Sequence, residues 1–276
     1  MRRSPIERII AYAVAVGFTF FAAFPVIWAL NISLKFEKDI ITRRLTFWPN
    51  PATLTNYVAI WTQSNLPDLM WNSAVTTFFT VAICVVAGTM AAYSVARMRF
   101  RGRESMLLFF LILRMFPVVL MIIPLFVIMK NAGLLDTRIG LALAYTAFLL
   151  PIFIWMMKGF FDAIPIELEE AAQIDGCTRL GAMLRVVLPL VQGGLWACAV
   201  FIGIAAWNEY LFALMLTTSS GSRTWPVGLQ LMVGEFQLPW GALTAGGILS
   251  ILPVLALFAI VQRSMVRGLA QGAVKG

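Results

Sequence analysis

The stretch "EAAQIDGCTRLGAMLRVVLP", residues 170–189, lies between two long apolar runs. It is too polar to enter lipid and too patterned to be a connector. Pro165 closes the region before it, and Glu167, Glu169 and Glu170 crowd the first turn of a new short helix, where carboxylates are favoured by the positive end of the helix dipole. Gly176 is a natural stop. Thr178 is placed to cap a second helix, whose apolar residues Leu180, Met183, Leu184, Val187 and Leu188 recur at helical spacing and form a one-sided stripe. Pro189 is expected to end it. Two short helices with a sharp turn between them are predicted, neither long enough to cross a bilayer, with Ala171 and Ala172 small enough to let a neighbour approach closely. A hairpin that merely rests on lipid is the bland alternative. Such helices carry Lys and Arg on the polar face, whereas the first helix here is acidic, which favours a protein partner.

The rest of the chain is built for lipid. Of its 276 residues 61% are hydrophobic and only 12% charged, against about 45–50% and about 25% in a soluble domain. Six apolar spans are predicted, at about 9–34, 70–96, 106–129, 139–161, 190–216 and 242–262, each long enough to cross at 1.5 Å per residue. The expected fold is an all-α membrane protein with six transmembrane helices in a single transmembrane domain, 1–276, with the polar loop at 162–189 and a tail at 263–276. The first span is longer than the apolar core of a secretory signal and is read as a retained helix.

With the N-terminus inside, the inner segments hold thirteen Lys and Arg and the outer ones seven, so both termini are expected in the cytosol. "RMRFRGR", residues 97–103, concentrates four arginines and reads as a positive-inside anchor. The net charge of +8 does not point to nucleic acid, because the basic residues are scattered over loops. There is no histidine, which excludes His-based metal sites and triads, and Cys84, Cys177 and Cys198 imply no disulfide framework. No GxxxxGK[ST] run is present, so any ATP must be hydrolysed by another chain.

Polar groups inside the spans are candidates for a solute path or gate, because lipid makes them costly. Arg114 lies roughly 12 Å and Glu209 roughly 28 Å from the cytosolic face, too far apart in depth for a direct ion pair. Arg114 is also placed to snorkel to headgroups. Asn208, Asn31 and Asn72 are further candidates, each with helix packing as the alternative. Trp207, Trp225 and Trp240 are suited to stack on sugar rings or to anchor in the membrane interface.

Glu170-Ala171-Ala172, Gly176, Val186 and Leu188-Pro189 resemble the EAA loop of ABC-importer permeases, with Val186 where Ile is common. "SLK" at 33–35, "NYVAIW" at 56–61, "AAYSVARMRFRGR" at 91–103, "AWNEYLFAL" at 206–214, "WPVGLQ" at 225–230 and "RGLAQGAVKG" at 267–276 are similar to the carbohydrate branch, in its smaller, maltose-transporter-G-like permease. The resemblance covers essentially the whole chain. It implies a non-enzymatic subunit of the bacterial inner membrane, working with a second related permease, two ATPase subunits that carry ATP and Mg²⁺, and an extracytoplasmic solute-binding protein. It places Glu169, Glu170, Ala171, Ala172, Asp175, Gly176, Leu188 and Pro189 in ATPase coupling, and makes Gly272, Ala273, Val274, Lys275 and Gly276 tail contacts to the ATPases. No cofactor or metal is expected on this chain. A permease for a non-sugar solute such as glycerol phosphate, a secondary transporter and a membrane enzyme are the alternatives; few carboxylates lie inside the spans for the last two.

Overall fold

The structure is a computed structural model that describes residues 5–42, 46–63, 65–234 and 238–273. Every regular element among them is helical: α1 (Pro5–Ser33), α2 (Glu37–Ile40), α3 (Thr55–Gln63), α4 (Leu66–Arg97), α5 (Arg103–Met115), α6 (Val118–Asn131), α7 (Arg138–Asp162), α8 (Glu167–Ile174), α9 (Arg179–Leu190), α10 (Gln192–Trp207), α11 (Leu211–Leu216), α12 (Trp225–Leu231) and α13 (Trp240–Ala273). Helices are what a lipid-spanning chain must form, because each backbone polar group is then satisfied within its own segment.

Among the described residues, four continuous stretches are long and apolar enough to cross a membrane: Ile6–Ser33, Leu66–Arg97, Arg138–Asp162 and Trp240–Ala259. The other two predicted spans are broken. The run 106–129 is interrupted at Phe116 and Pro117, where the proline cannot continue the preceding hydrogen-bond ladder, and it becomes α5 and α6. The run 190–216 is interrupted at 208–210 and becomes α10 and α11. Hydropathy counts apolar residues and is blind to such breaks. The sixth predicted span runs without a break into the tail as far as Ala273, the end of α13.

The chain divides into two compact units, residues 1–67 with 229–253 and residues 68–228 with 254–276. In the first, Asn56 Nδ2 donates to the Ser33 and Lys35 carbonyls (2.9 and 2.8 Å), and the Glu37 carboxylate accepts from the Trp240 and Gly241 N–H groups (2.8 and 2.9 Å), capping the positive end of α13. Asn31, a candidate polar residue of the first span, donates from Nδ2 to the Phe47 carbonyl. The most apolar window of α1 contributes nothing to the interior.

The second unit has two apolar clusters. One joins Cys84, Ala92 and Tyr93 of α4 to Phe153, Met157 and Phe161 of α7, to Met183 and Val187 of α9 and to Cys198 and Ile202 of α10. The other gathers Tyr145 of α7, Phe212, Ala213 and Leu216 of α11 and Val227 of α12. Where α4 crosses α7, α4 widens into a π turn at Cys84–Gly88. A Cβ on Gly88 would lie 2.4 Å from the Phe153 ring, so only glycine admits this approach.

Candidate functional site

The polar pair of helices is real, and its turn is set by local chemistry. Gly176 adopts φ +90°, open to glycine and strained for other residues. Its N–H donates to the Gln173 carbonyl (3.1 Å) and that of Cys177 to the Ala172 carbonyl (2.9 Å), the paired bonds of a Schellman motif that satisfy the last carbonyls of α8. Thr178 then starts α9, its Oγ1 accepting from the Gly181 N–H at 3.0 Å. The helix passes through Pro189 rather than stopping there. Its π turn at Met183–Val187 brings the Leu188 N–H to the Met183 carbonyl and shifts the ladder where the proline has no N–H to give. It ends at Leu190, and the chain turns by 80° into α10.

Burial divides the predicted stripe into two. Met183 and Val187 point into the bundle core, at 3% and 0% exposure, while Leu180 and Leu184 remain half exposed. On α8 the division falls between the alanines, with Ala172 buried and Ala171 exposed. Glu170, Asp175, Gly176 and Pro189 are exposed, Leu188 is partly buried, and Ile174 is 86% exposed. One side of the pair is thus welded to the bundle. The other presents Leu168 and Ile174 among the carboxylates of α8, and Leu180 and Leu184 beside the exposed Arg179 and Arg185 of α9.

Glu169 belongs to the welded side. Its Oε2 accepts from the Tyr93 hydroxyl at 2.8 Å and its Oε1 from Arg97 Nε, while Arg97 Nη2 donates to the Ile164 carbonyl at 2.8 Å. Read from sequence alone, Arg97 is one of four loop arginines and Glu169 one of three carboxylates on a dipole; nothing local pairs residues 72 positions apart. The positive-inside reading of Arg97 is therefore incomplete, because its guanidinium has an internal carboxylate.

At the opposite end of this unit, polar groups close a second knot. Asp136, at φ 57°, accepts through Oδ1 from the Thr218 and Ser219 N–H groups (2.8 and 2.9 Å) and from the Ser222 hydroxyl. Partial burial raises its carboxyl pKa, but these hydrogen bonds outweigh it and hold the group well below the usual carboxylate range. Arg138 Nε donates to the Gly221 carbonyl (3.0 Å), and Asn72 Nδ2 donates to the Ser220 and Arg223 carbonyls (2.8 and 2.9 Å). Asn72 is fully buried and serves as a clasp between α4 and this loop.

The remaining intramembrane candidates separate. Glu209 caps α11, its carboxylate accepting from the Phe212 and Ala213 N–H groups (2.9 and 3.2 Å), which explains how the broken fifth span tolerates an acid. It also lines a cavity of about 260 Å³ with Tyr145, Phe116, Phe148 and Phe212. Asn208 is exposed and donates to the Ile204 carbonyl one turn back (2.9 Å). Trp207 and Trp225 are buried inside the chain, contrary to either the interface or the stacking reading, and Trp240 is exposed. The backbone of Arg114 lies in α5, and its side chain lies outside the described residues. Gly272 and Ala273 are the last residues of α13; Val274, Lys275 and Gly276 lie outside the described residues.

The fold is matched by a solved bacterial ABC transporter "involved in the import of the acidic polysaccharide alginate", with a TM-score of 0.79 over 95% of this chain and 99% of that one, at 24% identity. The trehalose transport system permease protein of Mycobacterium tuberculosis is 38% identical over 93% of both chains. The sulfoquinovosyl glycerol transport system permease protein of Agrobacterium fabrum is 38% identical over 92% of this chain and 89% of its own. The trehalose/maltose transport system permease protein of Thermococcus litoralis is 33% identical over the whole of both. The family model described as "Binding-protein-dependent transport system inner membrane component" matches residues 84–271, a segment that holds the turn at Gly176, the Arg97–Glu169 pair and the capped break at Glu209. This chain belongs to that family.

Proposed function

We propose that this chain is the permease subunit of an ATP-driven importer that carries a carbohydrate, whether sugar, oligosaccharide or polyol, into the cytoplasm. The observation that carries the mechanism is the division of the helical pair, one side buried in the bundle and the other offering exposed apolar residues, flanked by carboxylates on α8 and by arginines on α9. Such a surface suits docking onto a protein groove, and its rigid attachment suits transmission of force. Two ATPase subunits, holding ATP and Mg²⁺, dock on Glu170, Ala171, Asp175, Gly176 and the exposed side of α9, and Gly272–Gly276 extend toward them. A second, related permease completes the solute path, and an extracytoplasmic binding protein delivers the solute. Both termini lie in the cytosol. Closure of the ATPases moves α8 and α9 as a lever and tips the bundle between inward-facing and outward-facing states.

The carbohydrate assignment is supported by the relatives, whose names specify trehalose, maltose and sulfoquinovosyl glycerol. Of the candidate residues, Asn72 and Trp207 are committed to the interior, and Glu209 lines a cavity suited to a solute contact. The test is purification of the tagged chain from its own membrane in mild detergent. A P-loop ATPase is expected to copurify, with ATP-dependent sugar uptake on reconstitution; uptake driven by an ion gradient without any ATPase would overturn the proposal.

A further inference from the structure

Glu169 stands one residue before the exposed Glu170, yet it takes no part in the exposed surface of α8: its side chain is 4% and that of Arg97 10% exposed. Both of its oxygens are used, one by the Tyr93 hydroxyl and one by Arg97 Nε. The same guanidinium holds the Ile164 carbonyl, in the linker that feeds α8. A single arginine on α4 therefore fixes both the helix and the chain entering it. Apolar packing of α9 onto the bundle core runs through Met183, Val187 and Leu188. Such packing is non-directional, so it resists separation more than sliding. A hydrogen-bonded ion pair fixes register and direction as well.

The far end of α4 is equally constrained. Asn72 holds two carbonyls of the loop before α12, and Ser73 Oγ accepts from the Trp225 N–H at 2.7 Å. From Asn72 to Arg97 the helix spans roughly 37 Å, enough to cross the hydrocarbon layer. We propose that the Tyr93–Arg97–Glu169 contact is the joint through which motion of α8 enters α4, which carries it to the loop at residues 217–225. Glu169 and Arg97 are then positioning residues for transport, not docking residues for the ATPase. This rests on the reading that ATPases act on α8 and α9.

The test uses the complete importer, with its partner subunits and binding protein, reconstituted in vesicles where solute uptake and ATP hydrolysis are measured together. Glu169→Gln is expected to leave ATP hydrolysis running and lower solute moved per ATP by roughly fivefold or more, and Tyr93→Phe, which removes one hydroxyl, by roughly twofold. An unchanged ratio in both Glu169→Gln and Tyr93→Phe overturns the proposal. So does loss of assembly in Glu169→Gln with a normal ratio in Tyr93→Phe, because the contact would then be structural only. A wild-type chain that captures no ATPase defeats the functional reading itself, a different and separable failure.

Discussion

At the scale of single residues, one backbone position and one carboxylate carry testable consequences. Gly176 has open space around the position of a Cβ, so Gly176→Ala is strained by its positive φ alone. A stability loss of about 1 kcal/mol is expected, read as a lowered Tm in detergent, whereas Gly176→Pro, whose ring forbids that φ, abolishes uptake while the chain stays in the membrane. Asp136 differs in being sensitive to pH. Its pKa is depressed by folding, so its ionised form contributes stability above the unfolded value and loses it as pH falls. The Tm difference between the wild type and Asp136→Asn is therefore expected to hold steady at roughly pH 5–8 and to narrow below about pH 4. A difference that varied across neutral pH would show that another group governs the knot.

At the scale of elements, α9 has two faces that the same alteration should affect in opposite ways. Met183→Ala removes buried volume from the core and should cost about 2–5 kcal/mol, lowering the Tm without removing any docking surface. Leu184→Asp should leave the Tm nearly unchanged and reduce the amount of ATPase that copurifies. The reverse pattern would mean that the faces have been exchanged. The crossing of α4 and α7 makes a similar demand: Gly88→Ala drives a methyl into the buried Phe153 ring and is expected to cost about 1–3 kcal/mol by overpacking, again read in the Tm.

At the scale of the whole molecule, the second unit joins two polar knots and two apolar clusters, with α4 running between the knots. Its cysteines report the sidedness. Cys84 and Cys198 are buried, whereas Cys177 is partly exposed in the turn between α8 and α9. A membrane-impermeant thiol reagent should label Cys177 in inside-out vesicles and leave right-side-out vesicles unlabelled. Bound ATPase should protect it; labelling from the outer side would invert the proposed topology.

Length, apolar content and the polar interruption at 170–189 were enough to establish a helical membrane chain and its bent helical pair, because hydropathy, capping and the glycine stop act within a few residues of sequence. The cap at Thr178 and the turn at Gly176 were legible for that reason. Only the tertiary structure decided which half of the α9 stripe faces inward, that Glu169 belongs to Arg97 and Tyr93, that Asn72 clasps a loop some 150 residues away, and that two of the six spans are broken. Each of these depends on partners distant along the chain or on where a kink falls, and helical periodicity encodes neither.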